Sequence, residues 1–355
     1  MKKLECYLGR SVITATLLTL LSLVSLTTCI KFLEQLRGIG QGDYNLWRAG
    51  GYTLLTLPED IQLLFPFSAL IGVLLGLGLL ASQGEIVVMQ ALGCSRWRIM
   101  AAVGKALCPL IILCMILGEW VVPWSDQFAR QLRAQAIEGG SLLVQQGELW
   151  LKDGSDFIYI QQVTPHQGLQ GIHIYHFDQL RRLTAITQAQ YASFHQDHWL
   201  LHHCVKQQFT LGKPITIEQS PVSHWPLLLT PEKLGMTSLE PNQLSMIRLY
   251  RYIKYLRHSG QESNRYKLAL WKQLLAPLST LSITLLALSS LLGPLRQTSV
   301  SLRIIIGITY GFIFYILSEL ISHLSIVYHW PSFWGAITPL LIVLLLTFLL
   351  FKQHR

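Results

Sequence analysis

Six apolar runs, each about 20 residues or longer, are long enough to cross a hydrocarbon core of roughly 30 Å as helices. They fall at about residues 11–33, 55–81, 99–123, 268–292, 302–322 and 333–351. Lipid offers no partner to a backbone amide or carbonyl, so such runs must satisfy their hydrogen bonds internally as α-helices. Composition agrees: 51% of the 355 residues are hydrophobic and 13% charged, against about 25% charged in a soluble domain. The first run exceeds the roughly 7 to 15 apolar residues of a secretory leader, and no small-residue cleavage pattern follows it. It is expected to be a membrane anchor.

In that arrangement Lys2, Lys3, Arg10, Arg96, Arg98, Lys105, Arg296, Arg303, Lys352 and Arg355 lie on one side, opposed there by Glu5 and Glu85. An excess of cations in short connections marks the cytoplasmic side, so both termini are expected there. Most of the formal net charge of +9 is then topological and carries no argument for nucleic acid. The expected domains are 1–123 with three spans, 124–266 outside the membrane, and 267–355 with three more spans.

Residues 124–266 replace continuous apolar runs with short alternating segments, among them FIYIQQV, GIHIYHF, RRLTAITQAQYASFH, HWLLHHCVKQQF and PITIEQS. Alternation of this kind reads as antiparallel strands, with Asp153-Gly154 as a hairpin turn. Seven or eight such strands would make an all-β sandwich or an open jelly-roll-like domain. A basic amphipathic helix is expected near 242–258, with Leu244, Ile247, Tyr250, Ile253 and Leu256 on one side and Arg248, Arg251, Lys254 and Arg257 filling much of the rest. It would lie on the membrane surface or against the domain.

The inventory of reactive groups is mostly negative. Without a GxxxxGK[ST] stretch the chain has no phosphate loop, so any ATP and its Mg²⁺ belong to a partner. No GxSxG or HExxH spacing occurs. Eight histidines fall in the external segment: His166, His173, His176, His195, His198, His202, His203 and His224. The consecutive His202, His203 and Cys204 alternate faces in a strand and cannot all aim at one metal. Five of the six cysteines lie in or near the membrane, leaving Cys204 alone in the external segment, and no disulfide framework is expected. Glu119 and Glu319 sit in or beside spans, where carboxylates face protein or water. Each reads as a helix-packing acid satisfied by a partner, or as a proton-coupling or hydrolytic group.

Two charged features stand out. Lys31, Arg37, Arg130 and Arg133 crowd the outer ends of spans one and three, against the positive-inside pattern. They suit lipid headgroups, or the phosphates of an amphiphile whose tails rest on apolar helix faces. On the cytoplasmic side, SQGEIVVMQALGCSRWR (82–98) joins two spans with a half-polar amphipathic turn. Glu85 stands at its start, where it suits the helix dipole. Ile86, Val87, Met89, Gln90 and Leu92 give it a mixed face, and Gly93 ends it.

The order of parts, together with IKFLEQLRGIGQGDY, LFPFSALIGVLLGLGLLASQGEIVVMQALG, GEWVVPWSDQFARQLRAQAIEGG, LWLKDGSDFIYI, YIKYLRHSGQ and LLGPLR, resembles the lipopolysaccharide-export permeases of the LptF/LptG family, most closely the LptG branch. The resemblance runs along nearly the whole chain. It implies a Gram-negative inner-membrane transport subunit rather than an enzyme. The subunit would pair with an LptF-like permease, sit on an LptB-like ATPase dimer that holds the ATP and Mg²⁺, and receive an LptC-like membrane-anchored protein. It would extract lipopolysaccharide from the outer leaflet of the inner membrane and pass it to a bridge of periplasmic jelly rolls, through a cavity lined chiefly by spans one and five. The resemblance assigns the cavity rim to Lys31, Arg37, Arg130 and Arg133 and the acid of the ATPase-docking helix to Glu85, with the face of Ile86, Val87, Met89 and Leu92 expected to dock in a groove on the ATPase. Two positions depart from the pattern, Gly38 and Glu59, where relatives often carry a basic residue. Two other classes stay open at this point: an ABC permease of the lipoprotein-releasing type, with four spans per subunit, and an intramembrane enzyme using Glu119 or Glu319.

Overall fold

A computed structural model of the chain describes residues 2–137, 149–164, 168–178, 180, 182–195, 198–209, 214–225, 241, 244–258, 261–291 and 300–353. The elements before the sheet are α1 (Lys2–Leu36), α2 (Leu46–Leu55), α3 (Leu57–Ser82), α4 (Glu85–Ala91), α5 (Arg96–Ile116), a π turn (Leu117–Val121) and α6 (Val122–Ile137). Six strands follow: β1 (Leu149–Asp153), β2 (Asp156–Thr164), β3 (Gly168–Phe177), β4 (Leu183–His195), β5 (His198–Gln208) and β6 (Thr216–Trp225). The chain continues with α7 (Met246–His258), α8 (Asn264–Leu291), α9 (Val300–Val327) and α10 (Ser332–Gln353). Among the described residues, six helices are long and apolar enough to cross a membrane: α1, α3, the run from α5 through α6, α8, α9 and α10.

The third span does not stop near residue 123 as expected. It continues as helix to Ile137 through the π turn. The extension is polar on average, which hid it, but Ala129 and Ala136 are buried. Ala136 packs with Tyr44 and Ala49, tying α6 to the segment around α2.

Close helix packing in lipid depends on small residues that let backbones approach. A Cβ on Gly72 of α3 would collide with the backbone of Thr16 in α1, and one on Gly76 would press on Ser11 and Ala15. The pair is a GxxxG spacing, and hydroxyls reinforce it: Ser11 Oγ donates to Gly76 O at 3.2 Å and Thr19 Oγ1 to Ser68 O at 3.0 Å. Around this contact lies the membrane core, with Leu74, Leu77, Val103, Leu107, Ala287 and Leu288 fully or almost fully buried.

The strands form one antiparallel sheet in the order β1-β2-β3-β4-β5-β6, each pairing with its chain neighbour. Gly154, at φ +60°, makes the β1-β2 turn. Six strands are described where seven or eight were expected, and they run as a meander without the crossing connections of a jelly roll. Alternation in sequence identifies strands, but the layer they build depends on non-local pairing. One face buries Ile158, Ile160, Ile172, Ile174, Trp199 and Leu201 against Tyr252, Tyr255 and Leu256 of α7. On the other, Trp150 packs its ring near Tyr159 and Tyr175.

The basic helix thus lies against the sheet. Its buried stripe is Leu249, Tyr252, Ile253 and Leu256, while Ile247 and Tyr250, expected on the apolar side, are exposed. Burial pushes the Tyr252 hydroxyl well above its usual pKa, aided by its neighbour Tyr266.

Candidate functional site

The four cations Lys31, Arg37, Arg130 and Arg133 do not all stand bare. Lys31, in the last turns of α1, pairs its Nζ with Asp60 Oδ1 at 2.6 Å, and Asp60 in the first turn of α3 is 1% exposed. Arg130 Nε donates to Asp126 Oδ2 at 3.0 Å, one helical turn earlier. Glu59 lies within electrostatic reach of both Lys31 and Arg130. Two of the four cations therefore sit among three acids.

The other two are different. Arg37, just past the end of α1, and Arg133, on α6, are exposed, and no carboxylate of the described residues pairs with either. Arg133 holds its guanidinium 5.7 Å from the centre of the Tyr52 ring, a cation–π distance. Arg48 joins them on α2, donating from Nη1 to Asp43 O at 2.9 Å. Beneath these groups Tyr44 is buried and donates its hydroxyl to Gln35 Oε1 at 3.0 Å. Burial raises the Tyr44 pKa, with the Arg133 charge pulling the other way. Trp47, Trp120 and Trp124 are exposed at this end, where aromatic side chains suit a membrane interface.

At the opposite end, α4 is a seven-residue helix bracketed by Gly84 at φ +76° and Gly93 at φ +85°. Neither glycine has a neighbour where a Cβ would stand, so the left-handed backbone is what requires them. Ile86 and Met89, named above for a docking face, turn inward and belong to the membrane core. With about two turns of helix, one stripe at i and i+3 holds the segment to its own bundle. Val87, Val88 and Leu92 point outward, Leu92 with 73% of its surface exposed. Glu85 is half-buried and accepts from the hydroxyl of Tyr7 at 3.3 Å.

Both intramembrane acids have partners. Glu319 on α9 accepts from Lys272 Nζ of α8 at 3.1 Å, with His323 at 3.9 Å. Glu119 accepts from the backbone amides of Met246 at 2.9 Å and Ile247 at 3.2 Å. Among the histidines, His176 bridges Asp156 at 2.8 Å and Thr187 at 3.1 Å, and His202 meets Ser193 Oγ at 3.0 Å while stacking on Tyr191. His166 lies outside the described residues. Among those described, no three His, Cys, Asp or Glu side chains converge as metal ligands. Cys204 is buried and unpaired, and burial raises its thiol pKa.

Sequence reasoning named these four cations and Glu59, but not Asp60 and Asp126 beside them. Asp126 stands four residues before Arg130, a readable helical pair. Asp60 had no such signal, since its partner lies on another helix.

Residues 6–353 match the family described as Lipopolysaccharide export system permease LptF/LptG. The Lipopolysaccharide export system permease protein LptG of Escherichia coli (strain K12) is 44% identical over 338 residues, covering 95% of this chain and 94% of that protein. The protein of the same name from Haemophilus influenzae is 41% identical over 355 residues, 99% of each. The Escherichia coli (strain K12) LptF is 29% identical over 178 residues, 45% of this chain and 48% of that one.

Proposed function

This chain belongs to the LptF/LptG family of lipopolysaccharide export system permeases, and from that premise we propose how it takes part in export. It is a multi-pass inner-membrane permease subunit of lipopolysaccharide export. In our reading its termini and α4 face the cytoplasm and its sheet domain faces the periplasm. It works beside an LptF-like sister, with α1 and α9 turned toward the shared cavity. Those are the two spans with the smallest buried share, which supports the assignment.

Energy enters from an LptB-like ATPase dimer that carries the ATP and Mg²⁺. The outward Val87 and Val88 of α4, with Leu92 just after it, fit a groove on that partner, and Glu85 at the helix start faces a cation there. Ile86 and Met89 serve the contact by anchoring α4 to the bundle. An LptC-like membrane helix joins the assembly, and the sheet domain hands lipopolysaccharide to the periplasmic bridge through a jelly-roll-like arrangement completed with its partners.

The observation that carries the cargo assignment is the exposed Arg37–Arg133 pair at the sheet-domain end of the spans. A guanidinium binds a phosphate in paired fashion, and each acyl chain needs a dry apolar wall beside it. Closing the cavity must weaken that binding by several kcal/mol, which requires two cavity shapes of different affinity. Arg37→Glu with Arg133→Glu is expected to cut lipopolysaccharide cross-linking to the cavity about tenfold or more, each lost charge-assisted contact being worth about 1.5 to 3 kcal/mol. Copurification with the ATPase should be unchanged. Wild-type cross-linking in the double variant would overturn the rim assignment.

A further inference from the structure

We propose that Glu119 is a positioning residue for export, fastening α7 to the third span so that movement of the spans is carried to the sheet domain. This rests on the transport reading above.

The pin is built from both sides. The π turn Leu117–Val121 interrupts the third span and carries Glu119. Its carboxylate accepts from Met246 N and Ile247 N, the first two amides of α7. Those amides have no partner inside their own helix, and the N-terminal end of the helix dipole favours an anion. The tie therefore joins residues 127 and 128 positions apart with two charge-assisted hydrogen bonds. A second tie reinforces it: Gln273 Nε2 of α8 donates to Leu244 O, just before α7, at 3.0 Å.

From that end α7 runs along the sheet. Tyr252, Tyr255 and Leu256 pack into the sheet core, and the Gln261 side chain beyond the helix donates to the carbonyl of Lys152 in β1. A helix held at one end by two spans and along its flank by a sheet acts as a strut. Moving one attachment moves the other.

The region below the pin is built to allow motion. A cavity of about 130 Å³ lies there, lined among others by Gln62, Pro66, Gly118, Glu119, Gln273 and Pro277. Pro66 lies inside α3, Pro277 inside α8 and the π turn inside the third span. Proline removes an interior hydrogen bond, and π bulges recur at functional positions. Three helices thus loosen their ladders around one void, beneath a strut tied at its start by Glu119 and Gln273. A packing role alone would account for the carboxylate's partners, but it makes no link between the spans' work and the sheet.

The test uses the assembled transporter in nanodiscs with Glu119→Ala, Glu119→Gln and Glu119→Asp. Backbone hydrogen exchange at Met246 and Ile247 should quicken about tenfold in Glu119→Ala, as expected for losing a charge-assisted hydrogen bond. ATP hydrolysis should persist while lipopolysaccharide released per ATP falls roughly threefold or more, within the usual range of coupling energies. Glu119→Gln, which keeps one acceptor oxygen, should lie between, and Glu119→Asp should recover part of the loss. Should Glu119→Ala fail to assemble, the isosteric Glu119→Gln carries the same comparison. Unchanged exchange overturns the pin, and faster exchange with wild-type release per ATP overturns the coupling. A wild-type complex lacking ATP-driven release would sink the transport reading and this proposal with it. Unaltered variants beside an active wild type sink this proposal alone.

Discussion

In the second span 61% of the most apolar stretch is buried within the chain, whereas in the fifth only 11% is. Both are strongly apolar and both are long enough to cross a bilayer. Both make close glycine contacts, α9 through Gly311 against Leu70 of α3, so what separates them is how much of the remaining surface meets neighbouring helices. Gly72 and Gly76 let α1 approach α3 closely, and hydroxyls of Ser11 and Thr19 bond to α3 carbonyls across the gap. Along α9, Ile305, Phe312, Ile316 and Leu320 are exposed. Hydropathy decides that a helix enters lipid, and small residues decide which helix it then holds. An apolar face left open this way is free for a neighbouring subunit or for the cargo.

The sharpest way to break the contrast is Gly72→Leu. Its side chain would have to displace the backbone of Thr16, so we expect a loss of about 3 kcal/mol or more, the upper end of overpacking costs. A thermal melt of the purified chain would show it, and a melt like that of the wild type would mean that the close approach is not what holds α3. The counterpart is Phe312→Ala with Leu320→Ala on α9. Stability of the isolated chain should move by less than about 0.5 kcal/mol, as for ordinary surface changes. Copurification with an LptF-like sister should weaken, by about 1 to 2 kcal/mol if either residue is an anchor. Intact pairing would show that the open face serves lipid or cargo instead.

The smallest effect concerns pH and extends the contrast to the sheet. Burial holds the Tyr252 hydroxyl neutral beyond its usual range. Because the folded pKa is raised, this contribution to stability is complete below about pH 10 and fades as pH rises from there toward the folded value. Melting curves between about pH 8 and 11 should fall less steeply for Tyr252→Phe than for the wild type. Parallel curves would remove Tyr252 from the account.

Much of the architecture was legible. All six spans could be read because continuous apolar runs have one solution in lipid. Hydropathy did not show the extension to Ile137, since WSDQFARQLRAQAI is polar on average and the π turn has no sequence signature; only the helical spacing of Asp126, Arg130 and Arg133 pointed to it. Gly93 announced the end of a short helix, but two turns of mostly apolar residues do not say which stripe faces home. Structure was needed to turn Ile86 and Met89 inward and Val88 outward. For α7 the spacing was helical, yet the buried stripe lay at Leu249 and Tyr252 rather than at Ile247 and Tyr250. The rim cations stood out by topology. The pairing of Lys31 with Asp60 depends on how α1 crosses α3, and so on Gly72 and Gly76 further along α3.

That pairing has a consequence of its own. An anion arriving at Lys31 does not meet a naked charge; it takes part in an exchange, one counterion for another. The carboxylate left behind is almost wholly shielded from water, and a buried charge without its partner costs several kcal/mol. Asp60 therefore supplies a restoring force that draws the lysine back whenever a visitor leaves. The ion pair carries its own reset.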